Sequence, residues 1–322
     1  MNIGLPRALL YYYYYPFWKA FFETLGHTIV LSDKTNAKII TQGANVTVSE
    51  LCVPVKIFNG HIMNLAEKDI DRIFVPEFTS MGREWYCPKF MGIDSIVKSL
   101  SPDLTARLLI MPITSKDDMI ARVSDYLPFR QELGTDKKQI KAALKQAKQA
   151  QTKFRDLCIQ GYTAEEALDI MDGKTVQKSD DDYELTIALM GYVYNVYDNF
   201  ISMDIVKKLR GMGVRVLTFE MLDEQTVKYN NARGKQPFWV FARKIYNASG
   251  HYLKQPNIDG MIHVTAFACG PDSIIGKYME LDCDKKNLPF MTLRVDEHTG
   301  EGHVQTRLEA FTDMLKISKN KR

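Results

Sequence analysis

The chain has 322 residues, 45% hydrophobic and 25% charged, which is the balance of a soluble globular protein long enough for two domain cores. Its 42 basic and 39 acidic side chains leave a formal charge of +3, which speaks against nucleic acid or a membrane surface as the main partner. No apolar run reaches the ~18 residues that span a bilayer, and the start, MNIGLPRALL, shows no signal-peptide pattern, so a cytoplasmic and reducing setting is expected.

The apolar stretch Ile3–Leu5 reads as a first strand. An aromatic helix beginning in YYYYYPFW follows, then Gly26 and a second strand, Thr28–Leu31. The tyrosines of the run Tyr11–Tyr15 cannot all share one helix face. Most are expected to pack in a core; the alternative is that one or two line a pocket beyond the first strand, where α/β folds place ligands. Strands at Arg72–Val75 and Arg107–Met111 complete the first half. From Ser115 to Gln177 the composition turns to Lys, Gln, Ala and Glu. Apolar positions fall at helical spacing in DKKQIKAALKQAKQAQTKFRDLCIQ, and TAEEALDIM starts a further helix with Thr163 as its cap and Glu165 and Glu166 in its first turn. The acidic run Asp180–Asp182 marks the next boundary. A second βαβ opening runs from strand Thr186–Met190 through a helix at Ile201–Arg210, Gly211 and Gly213 to strand Arg215–Thr218. Strands at Met261–Thr265 and Phe290–Val295 continue it. The pattern predicts an α/β protein with two Rossmann-like lobes, residues 1–114 and 186–322, each with a roughly four-stranded parallel sheet. A helical insert, 115–185, joins them and lies to one side as they close.

Five cysteines in such a chain suit free thiols, catalysis or metal better than a disulfide framework. Three share a setting: Cys52 in SELCVPVKIFNGH, Cys87 in REWYCPKFMG and Cys269 in FACGPDS each have proline within two residues, and Lys56 and Lys89 stand near the first two. Cys87 and Cys269 follow strands in matching places of the two halves. A thiol where a strand ends and a helix begins has its thiolate stabilised, as for a nucleophile or metal ligand; the alternative is a small buried apolar residue. Cysteines from both halves converging on the cleft between them would suit a soft metal. The chain has no CxxC pair, which disfavours structural zinc, and three scattered thiolates that leave one position open suit a cubane iron–sulfur cluster. Cys158, in the insert, and Cys283, in ELDCDKKNLP, read as structural or surface residues. After the last strand, Asp296, Glu297 and His298 precede TGEGH. A metal or acid–base role for His298 or Glu301 competes there with a hydrogen-bonded loop, which is the preferred reading. GxGxxG, GxxxxGK[ST] and GxSxG are all missing, so neither nucleotide binding nor serine hydrolysis has motif support.

Together, NIGLPRALLYYYYYPFW, ELCVPVK, YCPKF, GYVYNVYD, FACGPDS and DEHTGE…TRLEAF resemble the 2-hydroxyacyl-CoA dehydratase-like (benzoyl-CoA reductase-like) superfamily, and more particularly its acyl-CoA dehydratase activase-related branch. The resemblance covers nearly the whole chain. It implies two Rossmann-like lobes plus helices, with three cysteines holding a 4Fe-4S cubane or an 8Fe-9S double cubane in the cleft. By motif position these ligands would be Cys52, Cys87 and Cys269. It also implies a separate ATP-hydrolysing activase as donor of low-potential electrons, a homodimer or a heterodimer with a homologous subunit, and a small molecule as substrate. Two readings of function follow: a component that reduces or dehydrates that substrate, or a non-catalytic cluster carrier or scaffold paired with a homologous dehydratase-like subunit.

Overall fold

The computed structural model describes residues 1–177, 183–228, 236–296 and 299–321. The acidic run at 180–182, and Glu297 and His298, lie outside the described residues. The chain divides into two units, Met1–Phe154 and Arg155–Arg322, and the division falls inside the helix Lys137–Ile159.

In the first unit, β1 (Asn2–Leu5) pairs in parallel with β2 (Thr28–Leu31) and with the start of β3 (Arg72–Met81). β5 (Leu108–Ser115) runs parallel to β3 along its other edge, and a two-residue strand, β4 (Glu84–Trp85), turns back antiparallel on its far end. The parallel order is therefore β2-β1-β3-β5. The sequence predicts a third strand over Arg72–Val75. Instead β3 runs to Met81, because β5 stays paired with it through Ser115 across a bulge at Phe78–Ser80, and Phe78 and Met81 are buried. β1 reaches only Arg72 and Ile73, so the rest of β3 projects past it and carries β4. Gly82, at φ +62°, makes the hairpin turn that favours glycine.

Three helices set the walls of this unit: α1 (Tyr11–Thr24), α2 (Ala37–Val46) and α3 (Val53–Ala66). α2 and α3 touch backbone to backbone. A methyl on Gly60 would meet the Ile39 carbonyl oxygen at 2.0 Å, and one on Gly43 would meet the Lys56 carbonyl oxygen at 2.0 Å. This crossing fixes where α3 begins.

The second unit has four parallel strands in the order β7-β6-β8-β9: β6 (Leu185–Gly191), β7 (Val214–Leu217), β8 (Gly260–Ala266) and β9 (Phe290–Val295). β8 is buried at every position, as expected of a strand covered on both faces. Thr163 caps the helix Ala164–Met171 in the expected capping box with Glu166, and the same carboxylate receives Arg210 Nη2 at 3.1 Å. Both sheets place the unit's first strand between its second and third. The chain thus winds one way from the first strand and then reverses, and the crevice beyond the strand ends at that reversal is where open α/β sheets bind ligands. In the first unit it lies between β1 and β3, in the second between β6 and β8. Among the described residues, no helix is long and apolar enough to cross a membrane.

Candidate functional site

Cys52 and Cys87 sit at one kind of position. Cys52 is the N-cap of α3, with Pro54 in its first turn. Cys87 is the N-cap of a short helix, α4 (Pro88–Met91), whose first residue is Pro88. Neither thiol makes a capping hydrogen bond, and proline removes one N–H that a cap would have served. The β3–β4 hairpin aims Cys87: Tyr86 N–H donates to the Thr79 carbonyl at 3.0 Å, and α4 starts immediately afterwards.

The two thiols lie within electrostatic reach of each other and of Lys89. The Val55 and Phe90 N–H groups donate to the Cys52 and Cys87 carbonyls at 3.0 and 2.9 Å, and their nearby dipoles favour the charged thiolates. Burial nevertheless outweighs these donors and the lysine, and pushes both thiols up from their ordinary range. Desolvation is thus the larger effect at both thiols. Two soft donors within electrostatic reach of each other, at two helix starts, fit an iron–sulfur cluster.

A polar knot stands next to this pair. Asp118, buried, accepts from Tyr13 Oη at one carboxylate oxygen and from Tyr14 Oη at the other, the latter at 2.9 Å. Tyr86, beside Cys87, interacts with Tyr14, and both rings pack against Phe78 at 5.1 and 5.4 Å. The tyrosine run thus divides its work: Tyr13, Tyr14 and Tyr15 are buried, whereas Tyr11 lines a pocket. Asp118 was not legible as a partner, because it lies more than a hundred residues away in a loop after β5. On the other side, His61 of α3 is fully buried, with Nδ1 2.8 Å from Ser32 Oγ and Nε2 3.0 Å from Thr35 Oγ1. Burial and the nearby Arg7 charge lower it to about 3, so it is neutral.

In the second unit, Cys269 is the buried N-cap of the helix Gly270–Lys285, directly beyond β8. Ala268, at φ +61°, makes the sharp turn out of the strand, and Ser273 Oγ returns a hydrogen bond to the Cys269 carbonyl at 2.8 Å. His263, in the middle of β8, holds the first turn of this helix: its Nε2 lies 2.9 Å from Asp272 Oδ1, and both side chains are buried. The ring's other nitrogen faces the bare backbone of Gly276, where a methyl would come within 2.7 Å. A second buried knot joins Tyr197 and Thr218 to the Glu220 carboxylate, with the Thr218 hydroxyl 2.7 Å from it. Burial raises Glu220 above the usual carboxylate range.

Of the three predicted ligands, the first unit brings Cys52 and Cys87 together; Cys269 belongs to the second. Among the described residues, no three His, Cys, Asp or Glu side chains are gathered as ligands for a single ion. A cubane makes a different demand, since each thiolate binds its own iron. Cys158 is buried beside Arg155 and Glu220, and burial pushes its thiol up to about 12. Cys283 is buried with its sulfur 3.8 Å from that of Met261. Both are core residues, and none of the five cysteines is in a disulfide. Glu301 pairs with Lys208 at 2.7 Å on the surface.

Two family profiles match the chain. Residues 2–222 match the CoA enzyme activase uncharacterised domain, and residues 163–315 match the D-component of 2-hydroxyglutaryl-CoA dehydratase. The chain therefore belongs to the activase-related group of dehydratase-like proteins. Cys52 and Cys87 fall in the first match and Cys269 in the second. A search of curated proteins finds no matching relative.

Proposed function

We propose that the chain is a cluster-bearing component of the 2-hydroxyacyl-CoA dehydratase-like type, with Cys52, Cys87 and Cys269 as ligands of a 4Fe-4S or double-cubane cluster and an ATP-dependent activase as its electron donor. The reading is carried by the Cys52 and Cys87 thiols, which lie at two proline-led helix starts within electrostatic reach of each other and of Lys89. Cys269 joins them on its equivalent place beyond the third strand of its own unit and on the second family match.

When bound, such a cluster supplies a one-electron reductant of low potential. The chain's own residues prepare for it. Val55, Lys89 and Phe90 N–H groups favour the charged thiolates, as does the Lys89 ammonium, and burial keeps the unliganded thiols protonated. Loading therefore releases protons.

Iron and acid-labile sulfide counting after strictly anaerobic purification tests the reading. Iron and sulfide in cluster ratio are expected, and each of Cys52→Ser, Cys87→Ser and Cys269→Ser is expected to cut iron sharply, while Cys158→Ser and Cys283→Ser leave it intact. Stoichiometric zinc without iron would overturn the reading. Loss of iron on Cys158→Ser with Cys269→Ser silent would overturn the ligand set. Because burial holds Cys52 and Cys87 protonated, reconstitution of stripped protein is expected to speed up from pH 7 to pH 9.

A further inference from the structure

The helix Gly270–Lys285, which Cys269 caps, is apolar on two faces. One face carries Ile275, Met279 and Cys283, at 0, 0 and 1% exposure, and the helix packs against β8 and β9. The other carries Ile274, Tyr278 and Leu281, whose i, i+4, i+7 spacing lines them up in one stripe. These three are 46, 42 and 45% exposed. Tyr278 leans on Tyr246 with ring centroids 5.8 Å apart, and the stripe otherwise faces outward from the second unit. A surface helix turns polar on its outer face, and an apolar stripe rimmed by charge marks a contact surface.

The charges around the stripe point to what covers it. Lys277 and Glu280 lie on one flank of it and bond each other at 2.9 Å on the surface. Their midpoint along the helix almost coincides with Tyr278, and so does the midpoint of Ile274 and Leu281. Laid antiparallel on a copy of itself about a two-fold axis at Tyr278, the stripe therefore matches itself, as a two-fold interface must. Tyr278 meets its own counterpart and Ile274 meets Leu281 of the partner subunit. In an antiparallel helix pair the same flank faces itself, which brings Lys277 to Glu280 of the partner subunit. A lipid surface fits less well, because Glu280, Asp282 and Asp284 on this helix would oppose anionic headgroups.

We propose that this stripe is the surface through which two copies of the chain associate, antiparallel along the helix Gly270–Lys285. Three apolar side chains per copy make a small interface core, so the association is weak, in the micromolar range. Cys269 stands nine residues before Tyr278. The two Cys269 residues of such a pair are therefore roughly 27 Å apart along the helices, at about 1.5 Å per residue. That is too far for them to share one cluster, so each copy keeps its own site.

Sedimentation velocity of the reduced full-length protein across the micromolar range is the test, and a reversible monomer–dimer equilibrium is expected. Tyr278→Glu, which sets two like charges on the axis, is expected to weaken it at least tenfold. If that variant does not fold, Leu281→Glu carries the same test. Lys277→Glu is expected to weaken the pair as well, and Lys277→Glu combined with Glu280→Lys to restore it, because the swap recreates the contact in the opposite sense. Oxidation of Tyr278→Cys is expected to give a covalent dimer, whereas Met314→Cys, equally exposed on the last helix, gives none. A monomer at every concentration, or a dimer that folded Tyr278→Glu or Leu281→Glu leaves unchanged, would overturn the inference. Protein that stays monomeric and pairs only with an added homologous dehydratase-like subunit, or only with anionic vesicles, would give the stripe to that partner and overturn it too. The pairing needs no iron. Loss of iron with the dimer intact removes the cluster alone, and iron without a dimer removes the interface alone.

Discussion

The two units share a strand order but fill the same crevice differently. In the first, a small apolar cavity lies between β1 and β3, lined by Phe58, Phe74, Phe78 and Phe90 among others. In the second, the chain beyond β8 is locked: His263 holds Asp272 at 2.9 Å, and Ser273 closes back on Cys269. The same topology thus leaves a small cavity in one unit and a tightly bonded turn in the other.

The comparison is broken most severely at Gly60. Gly60→Ala places a methyl 2.0 Å from the Ile39 carbonyl oxygen, so α2 and α3 must separate and Cys52 must move. A loss of about 3 kcal/mol or more is expected in urea unfolding. Gly302→Ala, in the second unit's last helix with nothing within 4 Å, is the counterpart. It is expected to stabilise by about 0.5 to 1 kcal/mol. A mild Gly60→Ala would show that the helix crossing is looser than its geometry.

The locked unit is probed through His263. His263→Leu leaves the buried Asp272 carboxylate without its imidazole donor, at an expected cost of about 2 to 3 kcal/mol. If the His263–Asp272 pair is what fixes Cys269, the variant also exposes that thiol to faster alkylation. Unchanged labelling of Cys269 would show that the turn at Ala268 suffices alone.

A smaller, pH-dependent difference separates the units. His61 titrates near 3 when folded and near 6.5 when unfolded, so only the unfolded chain takes up its proton in between. Stability is complete above about 6.5 and is lost as pH falls toward 3. Between pH 6.5 and pH 5 the loss is about 2 kcal/mol. His61→Gln is expected to flatten that dependence, and urea midpoints at the two pH values read it. The smallest effect is at the surface: Glu301→Ala removes the exposed pair with Lys208, and no resolvable change in melting midpoint is expected.

Much of this was legible in the residues. Apolar runs bounded by glycine located eight parallel strands, and Thr163 with Glu166 announced a capping box that is present. Cys52 and Cys87 stood out through proline and lysine neighbours, and Lys89 is within electrostatic reach of both. Pattern reading stopped β3 too early, because Pro76 is a breaker by local rules and only pairing with β5 overrides it. It likewise missed Asp118 and the His263–Asp272 pair. A buried polar contact between distant or strand-internal residues leaves no periodic trace, and the surrounding apolar run hides the histidine.

The hairpin that β3 carries beyond the sheet has a consequence for synthesis. Both first-unit thiols and every wall of the pocket come from the first ninety residues, and the strand that steadies β3 is complete at Ser115. Translation therefore delivers Cys52 and Cys87 long before the second unit is made. On the ribosome, where domains fold as they emerge, stalled chains that expose residues 1–154 are expected to show Cys52 and Cys87 already protected from alkylation, before the second unit has been made.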